Sequence, residues 1–300
     1  MLNKIVDSRN IVLFFVIIIF GHSFLFGISK SEKGDSKNVV QFEHIALNVA
    51  DPLKTAEWYR DNLGFIIVRQ GGEPNYTTFV SDPNGKMMFE FFKNADYPFQ
   101  NFNDWHFMSI HVAFNCSDIA AIKKKLFAAG AVLAEELKKT DSGDQVMMLR
   151  DPWGLPIQFV QRVNTMLNHE GLFFEHIAFN VADSPAKAKW YKDNLGMIII
   201  RDGKAPNYGM FIADEEKNMM FELYQDKNYP VIVWDSISHM TIHLAFMTDD
   251  IEAVKNKLLG SEAKVVEDIN KTPGGDFILM MRDPWGLPIQ FVNRLNPMIK

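Results

Sequence analysis

Alternating apolar and polar positions divide this chain into a regular succession of short strands and amphipathic helices. A strand over 42–49 leads to a helix over about 53–62, opened by Asp51-Pro52 and closed by Leu63-Gly64. Strands near 64–70, 76–81 and 87–93 come next, with Asp82-Pro-Asn-Gly85 as the turn between the last two. The pattern then restarts with a strand at 107–115 and a helix from Ser117-Asp118 to Ala129-Gly130. Strands near 131–137, 144–150 and 156–163 complete it. The order is β-α-β-β-β, twice.

The whole of that stretch is then repeated. Phe42-Glu-His-Ile-Ala46 returns as Phe174-Glu-His-Ile-Ala178, and Asp61-Asn-Leu-Gly64 as Asp193-Asn-Leu-Gly196. Met87-Met-Phe-Glu90 returns as Met219-Met-Phe-Glu222, and Arg150 to Val160 returns letter for letter as Arg282 to Val292. The offset is 132 throughout, so no net insertion separates the copies. Two copies of so long a unit mean tandem domains rather than a solenoid. The reading is an α+β protein with a first domain at 41–163, a polar joint at 164–172 and a second domain at 173–296. Each domain is expected to hold two βαβββ modules.

Ahead of the repeats, Lys4 and Arg9 precede the apolar run Ile11 to Phe20, and small residues follow at Gly21-His22-Ser23 and Gly27-Ile28-Ser29. Residues 1–29 read as a secretory signal, with an uncleaved membrane anchor as the alternative, and 30–40 as a solvated tether. The expected location is periplasmic or extracellular, with membrane contact only through that anchor. The formal charge of −6 argues against a nucleic-acid surface, which needs a basic stripe. The single cysteine, Cys116, excludes an intramolecular disulfide and a thiolate zinc site.

Within the strands, polar residues that interrupt apolar runs carry the chemistry. Side chains alternate faces, so Phe42, His44, Ala46 and Asn48 are expected on one side of the first strand. Met88, Glu90 and Phe92 share a face of the fourth, as do Ser109, His111 and Ala113 of the fifth and Gln158 and Val160 of the eighth. Each module thus offers one metal-capable residue in its first strand and one in its last. Pairing two modules around a pseudo-twofold axis would gather four. His44, Glu90, His111 and Gln158 form the set in the first copy; His176, Glu222, His243 and Gln290 occupy the same positions in the second. Two imidazoles, a carboxylate and an amide oxygen make a mixed shell for Zn, Ni, Co, Mn or Fe(II). A carboxylate between Met-Met-Phe and Phe-Phe needs a cation to offset its desolvation.

The His-Ile-Ala strands, Trp58-Tyr59 with Asp61-Asn-Leu-Gly64, and the Asp-Pro-Trp-Gly-Leu-Pro-Ile-Gln ending resemble the vicinal oxygen chelate superfamily of glyoxalases, epimerases, extradiol dioxygenases and bleomycin-resistance proteins. The resemblance implies paired βαβββ modules that curl a mixed sheet around a cavity, with ligands in the first and last strand of each module. It also implies bidentate binding of substrate through two adjacent oxygens. Members usually end the last strand in Ile-Glu, and that Glu handles the proton; here Ile157-Gln158 and Ile289-Gln290 stand instead. An amide ligates but accepts no proton near neutral pH, so Glu90 and Glu222 become the candidate bases.

The expected function is a metal-dependent lyase, isomerase or epimerase on a small oxygenated metabolite, as monomer or homodimer. An Fe(II) extradiol-type dioxygenase and a non-catalytic small-molecule binder are the alternatives. Arg69, Arg201, Arg150 and Arg282 are candidates for attracting an anionic substrate, Pro74-Asn75-Tyr76 for the cavity mouth, and 94–106 and 226–238 for selectivity.

Overall fold

The computed structural model describes residues 40–299; the predicted leader and nearly all of the tether lie outside the described residues. The first module runs β1 (Val40–Asn48), α1 (Pro52–Leu63), β2 (Ile66–Gln70), β3 (Thr78–Ser81) and β4 (Met88–Phe92). The second is β5 (Ile110–Asn115), α2 (Ile119–Ala128), β6 (Val132–Lys139), β7 (Gln145–Arg150) and β8 (Pro156–Gln161). The third is β9 (Phe173–Asn180), α3 (Ser184–Leu195), β10 (Ile198–Asp202), β11 (Met210–Ala213) and β12 (Met220–Tyr224). The fourth is β13 (Ile242–Thr248), α4 (Ile251–Leu259), β14 (Lys264–Lys271), β15 (Phe277–Arg282) and β16 (Pro288–Asn293). Aspartates open all four helices: Asp51, Asp118, Asp183 and Asp250 each accept a backbone N–H of the first turn. Gly64 and Gly196 close α1 and α3 in the left-handed region, where a side chain would be strained.

The strands form two eight-stranded mixed sheets, and their order corrects the expected pairing. One sheet runs β14-β15-β16-β13-β1-β4-β3-β2, joining the fourth module to the first. The other runs β10-β11-β12-β9-β5-β8-β7-β6, joining the third to the second. The seam is still first strand against first strand, antiparallel, but β1 meets β13 and β5 meets β9 rather than β1 meeting β5. Each sheet therefore draws its halves from different copies. The two modules of one copy meet instead through their helical side: Trp58 Nε1 donates to Ala129 O at 2.8 Å, and the Tyr59 hydroxyl to Asp151 Oδ2 at 2.9 Å.

Alternation divides each sheet into two faces. Ile45, Leu47, Phe89, Phe91, Val112, Phe114, Leu244, Phe246, Ile289 and Phe291 enter one apolar core shared by all four modules. A β-bulge at Glu43 then changes the face of what precedes it: Phe42 pairs with Phe246 while His44 pairs with the next residue, Ala245. Phe42 consequently packs in the core against Phe246 and Phe221, not beside His44 as strict alternation predicts. A bulge at Glu175 does the same in β9.

Candidate metal centres

Register brings the polar residues of each sheet together on its other face. In the first sheet Gln290 lies opposite Ala245, which lies opposite His44; one step along, His243 lies opposite Ala46, which lies opposite Glu90. In the second, Gln158, Ala113 and His176 form one row and His111, Ala178 and Glu222 the other. The first centre is thus His44, Glu90, His243 and Gln290, and the second His111, Gln158, His176 and Glu222. Each predicted foursome is divided between the two centres, because the modules pair across copies. The intervening alanines, all fully buried, are too small to fill the point on which the ligands converge. They are the third letters of His44-Ile-Ala46, His111-Val-Ala113, His176-Ile-Ala178 and His243-Leu-Ala245, a periodic signal that frames every ligand row.

Donor atoms of His44, Glu90 and His243, and of His111, His176 and Glu222, all lie within 4.8 Å of one another. Glu90 Oε2 is 2.9 Å from His44 Nε2 and 3.9 Å from His243 Nε2; Glu222 Oε2 is 3.1 Å from His176 Nε2 and 3.8 Å from His111 Nε2. Two ligands each ~2.1 Å from one ion stand roughly 3 to 4 Å apart, so the spacing suits a common cation.

The outer nitrogens explain why the rings point inward. His111 Nδ1 is 2.9 Å from Phe107 O and His243 Nδ1 is 2.9 Å from His239 O. A carbonyl only accepts, so both Nδ1 atoms carry the proton and both Nε2 atoms present a lone pair. Burial, with a neighbouring histidine opposing protonation as well, pushes these two imidazoles down to about 4. His44 and His176 donate from Nδ1 to Glu43 and Glu175, at 2.7 and 2.8 Å. The bulges make this possible, since they set each Glu-His pair on one side of its strand. All four Nε2 atoms are buried; those of His111 and His243 have no hydrogen-bond partner among the described residues, while those of His44 and His176 face only Glu90 and Glu222. Burial opposes protonation of His44 and His176, but the charge of the facing carboxylates outweighs it and raises these two imidazoles above their ordinary value. Oriented rings whose inner nitrogens converge on a carboxylate are what a divalent ion requires, so the donor set fits one.

Glu43 and Glu175 are held in turn. Arg294 binds Glu43 through Nε and Nη2 at 2.7 and 2.8 Å and Asp276 through Nη1 at 2.9 Å. Arg162 repeats this on Glu175 and Asp144. Burial alone would raise the two glutamates, but the guanidinium and the imidazole outweigh it and hold each at about 2. Burial likewise opposes ionisation of Glu90 and Glu222, and the facing His44 and His176 bring both below the ordinary carboxylate range. Sequence reasoning passed over Glu43, Glu175, Arg162 and Arg294, although all four recur at the 132 offset.

Two cavities, of about 560 and 190 Å³, open on the first centre and share Asn75, Thr77, Glu90, Ile278 and Gln290. Their walls come from the β2–β3 connection and the β14–β15 hairpin rather than from 94–106 and 226–238. Asn75 reaches them, whereas Tyr76 turns its hydroxyl to Glu73. Arg150 donates to Phe102, Trp105 and Gly154 carbonyls, and Arg282 to Trp234, Ile237 and Gly286, which makes them loop anchors. Arg69 lines the larger cavity. Trp153 and Trp285 pack edge-on against Trp58 and Trp190, away from the centres.

Known proteins share this fold. The model of the Glyoxalase/Bleomycin resistance protein/Dioxygenase superfamily matches residues 41–159 and 174–291. A lactoylglutathione lyase of Arabidopsis thaliana is 24% identical over 262 residues, 82% of this chain and 89% of that protein. One of Haemophilus influenzae is 28% identical over 123 residues, 39% of this chain and 89% of that protein. The crystal structure of glyoxalase I from Zea mays superposes with a TM-score of 0.69 at 20% identity, covering 85% of this chain and 93% of that one. At that identity the shared property is the fold.

Proposed function

The chain belongs to the Glyoxalase/Bleomycin resistance protein/Dioxygenase superfamily, and we propose that it is a divalent-metal-dependent lyase, isomerase or epimerase acting on a small oxygenated metabolite. The observation that carries this reading is the set of four buried imidazoles whose outer nitrogens are occupied and whose inner nitrogens converge, each pair, on one carboxylate. The lactoylglutathione lyase relatives support lyase chemistry over oxygen chemistry. Export to the periplasm or extracellular space belongs to the same proposal and rests on the basic, then apolar, first residues.

A divalent ion at these ligands would act as a Lewis acid on two adjacent substrate oxygens and stabilise the negative charge that develops there. The chain's own residues supply the rest. Glu43 and Glu175 keep His44 and His176 turned inward, and the Phe107 and His239 carbonyls do so for His111 and His243. Glu90 turns Oε2 toward both histidines of its centre, which leaves Oε1 to take the substrate proton. Gln290, which also borders both cavities, has no basic atom and serves as an oxygen ligand or an amide donor. Phe92 and Phe79 flank His243 and His44 and limit water at the centre.

Metal analysis of the purified chain after supplementation with Ni, Zn or Fe should find about two ions per molecule; less than ~0.1 ion per site would overturn the reading in favour of a binder, which the amide at 158 and 290 also permits. With metal bound, the chain should exchange the carbon-bound hydrogens of hydroxyacetone for solvent deuterium. The double substitution E90Q/E222Q should slow this roughly 10²- to 10⁴-fold. An unchanged rate in that variant removes the two glutamates from proton transfer. Iron-dependent oxygen uptake would move the assignment to a dioxygenase.

A further inference from the structure

Two arginines border the larger cavity of the first centre, and their donors are used differently. Arg294 is fully engaged, with three nitrogens on Glu43 and Asp276. Arg69 makes no hydrogen bond among the described residues. Its guanidinium carbon lies 4.4 Å from the centre of the Phe79 ring, and its nearest carboxylate oxygen, Asp276 Oδ2, is 3.9 Å from Nη1. Asp276 is itself occupied by Arg294 Nη1 and the Leu295 N–H. The side chain is 46% exposed and faces a cavity that also holds Glu90 and Gln290.

A like pair of arginines stands in the second sheet, lining a cavity that does not include His111, Gln158, His176 or Glu222. Arg162 is engaged by Glu175 and Asp144, while Arg201 makes no hydrogen bond among the described residues and lies 5.4 Å from the Phe211 ring centre. Arg162 and Arg201 line a cavity of about 150 Å³.

We propose that Arg69 is a substrate-binding residue of the first centre that recognises an oxyanion, carboxylate or phosphate, on the part of the substrate remote from its chelating oxygens, and that Arg201 is its counterpart at the second. This deepens the metal-chelation reading and rests on it for the position of the chelating end. The chemistry is that of a planar fork: the Phe79 ring holds one face of the guanidinium, and the free edge can make two parallel bonds to one anion. The charge balance favours the same ligand. Arg69 and Arg294 are matched by Glu43 and Asp276, and a divalent ion would more than offset Glu90. A loaded cavity is therefore net positive. A neutral substrate would leave the Arg69 donors desolvated without a partner.

The test uses the full chain loaded with Ni or Zn and isothermal titration with acetohydroxamate, a neutral bidentate chelator. Malonic, succinic and glutaric monohydroxamates and 3-phosphonopropionohydroxamate carry the same chelating end and an anion at increasing reach. At least one anionic probe should bind roughly 10- to 100-fold more tightly than acetohydroxamate. R69M and R201M, singly and together, should remove that gain while leaving acetohydroxamate affinity unchanged; R69K should keep part of it. The tighter of the carboxylate and phosphonate probes identifies the oxyanion. No gain in the wild type, or a gain that survives the double substitution, overturns the proposal. If acetohydroxamate itself fails to bind, chelation fails and a second measurement decides Arg69. Inorganic phosphate or succinate should raise the melting temperature of the Ni- or Zn-supplemented wild type more than that of R69M/R201M; equal shifts, or none, overturn the assignment.

Discussion

The two centres hold the same four ligand types in the same register, yet their surroundings have diverged. At the first, Phe92 lines the smaller cavity and flanks His243. At the second, Tyr224 stands in its place and donates its hydroxyl to Met108 O at 2.6 Å, across the seam between β12 and the segment before β5. Thr77 and Asn270 of the first correspond to Gly209 and Lys138 of the second, and the Lys138 ammonium pairs with Glu135. On the proposed function, holding an ion and shaping a substrate pocket are therefore separate tasks. The ligand rows lie on hydrogen-bonded strands, where a one-residue slip would turn them into the core, whereas the walls lie on connections free to vary.

The largest expected effect tests whether the centres are built across copies. His44→Ala with His243→Ala removes two ligands of one centre, so about one bound ion per chain should remain. His44→Ala with His111→Ala damages both centres and should leave about none. Pairing within a copy demands the opposite result, and elemental analysis of the two double variants decides between them.

The support beneath the ligands is expected to be equal at the two centres. Glu43 and Glu175 sit at about 2 in the folded chain and near the ordinary carboxylate value when unfolded. A depressed acid contributes stability above its unfolded value and loses it as pH falls toward the folded one. Each should therefore cost the fold on the order of 3 kcal/mol between pH 5 and 2. Denaturant unfolding of E43Q and E175Q should show the same flattened acid limb for both. A flattened limb in only one would mean that the two supports have also diverged.

The smallest effect concerns the walls. Tyr224→Phe removes one buried hydrogen bond, worth about 1 kcal/mol, and should strengthen acetohydroxamate binding at the second centre. Phe92→Tyr should bridge to Met240 O and weaken binding at the first. Calorimetry that finds both centres indifferent would detach this residue from access.

Much of this was legible beforehand. The β-α-β-β-β order follows from alternation and from aspartates opening the helices and glycines closing them. The eight polar residues that register gathers into the two candidate centres follow from polar residues breaking apolar strands. The partner of each strand was not legible, because His111-Val-Ala-Phe114 and His243-Leu-Ala-Phe246 offer β1 almost the same edge. Nothing local tells β1 which to choose. Nor was the bulge legible: alternation presumes no extra residue, and it placed Phe42 beside His44 and left Glu43 without a role. Arg162 and Arg294 went unnoticed because a charge at a strand end ordinarily belongs to solvent, and here it is buried on Glu175 and Glu43.

Cross-copy pairing also gives the centres an order of completion during synthesis. All ligands of the second fall between His111 and Glu222, inside the interval from His44 to Gln290 that spans the first. The inner centre has its full set while the fourth module is still to be made. The outer one waits for Gln290, with His44 and Glu90 present from the start but lacking their partners. A nascent chain stopped between Glu222 and His243 would carry one loadable centre, nested within the halves of another.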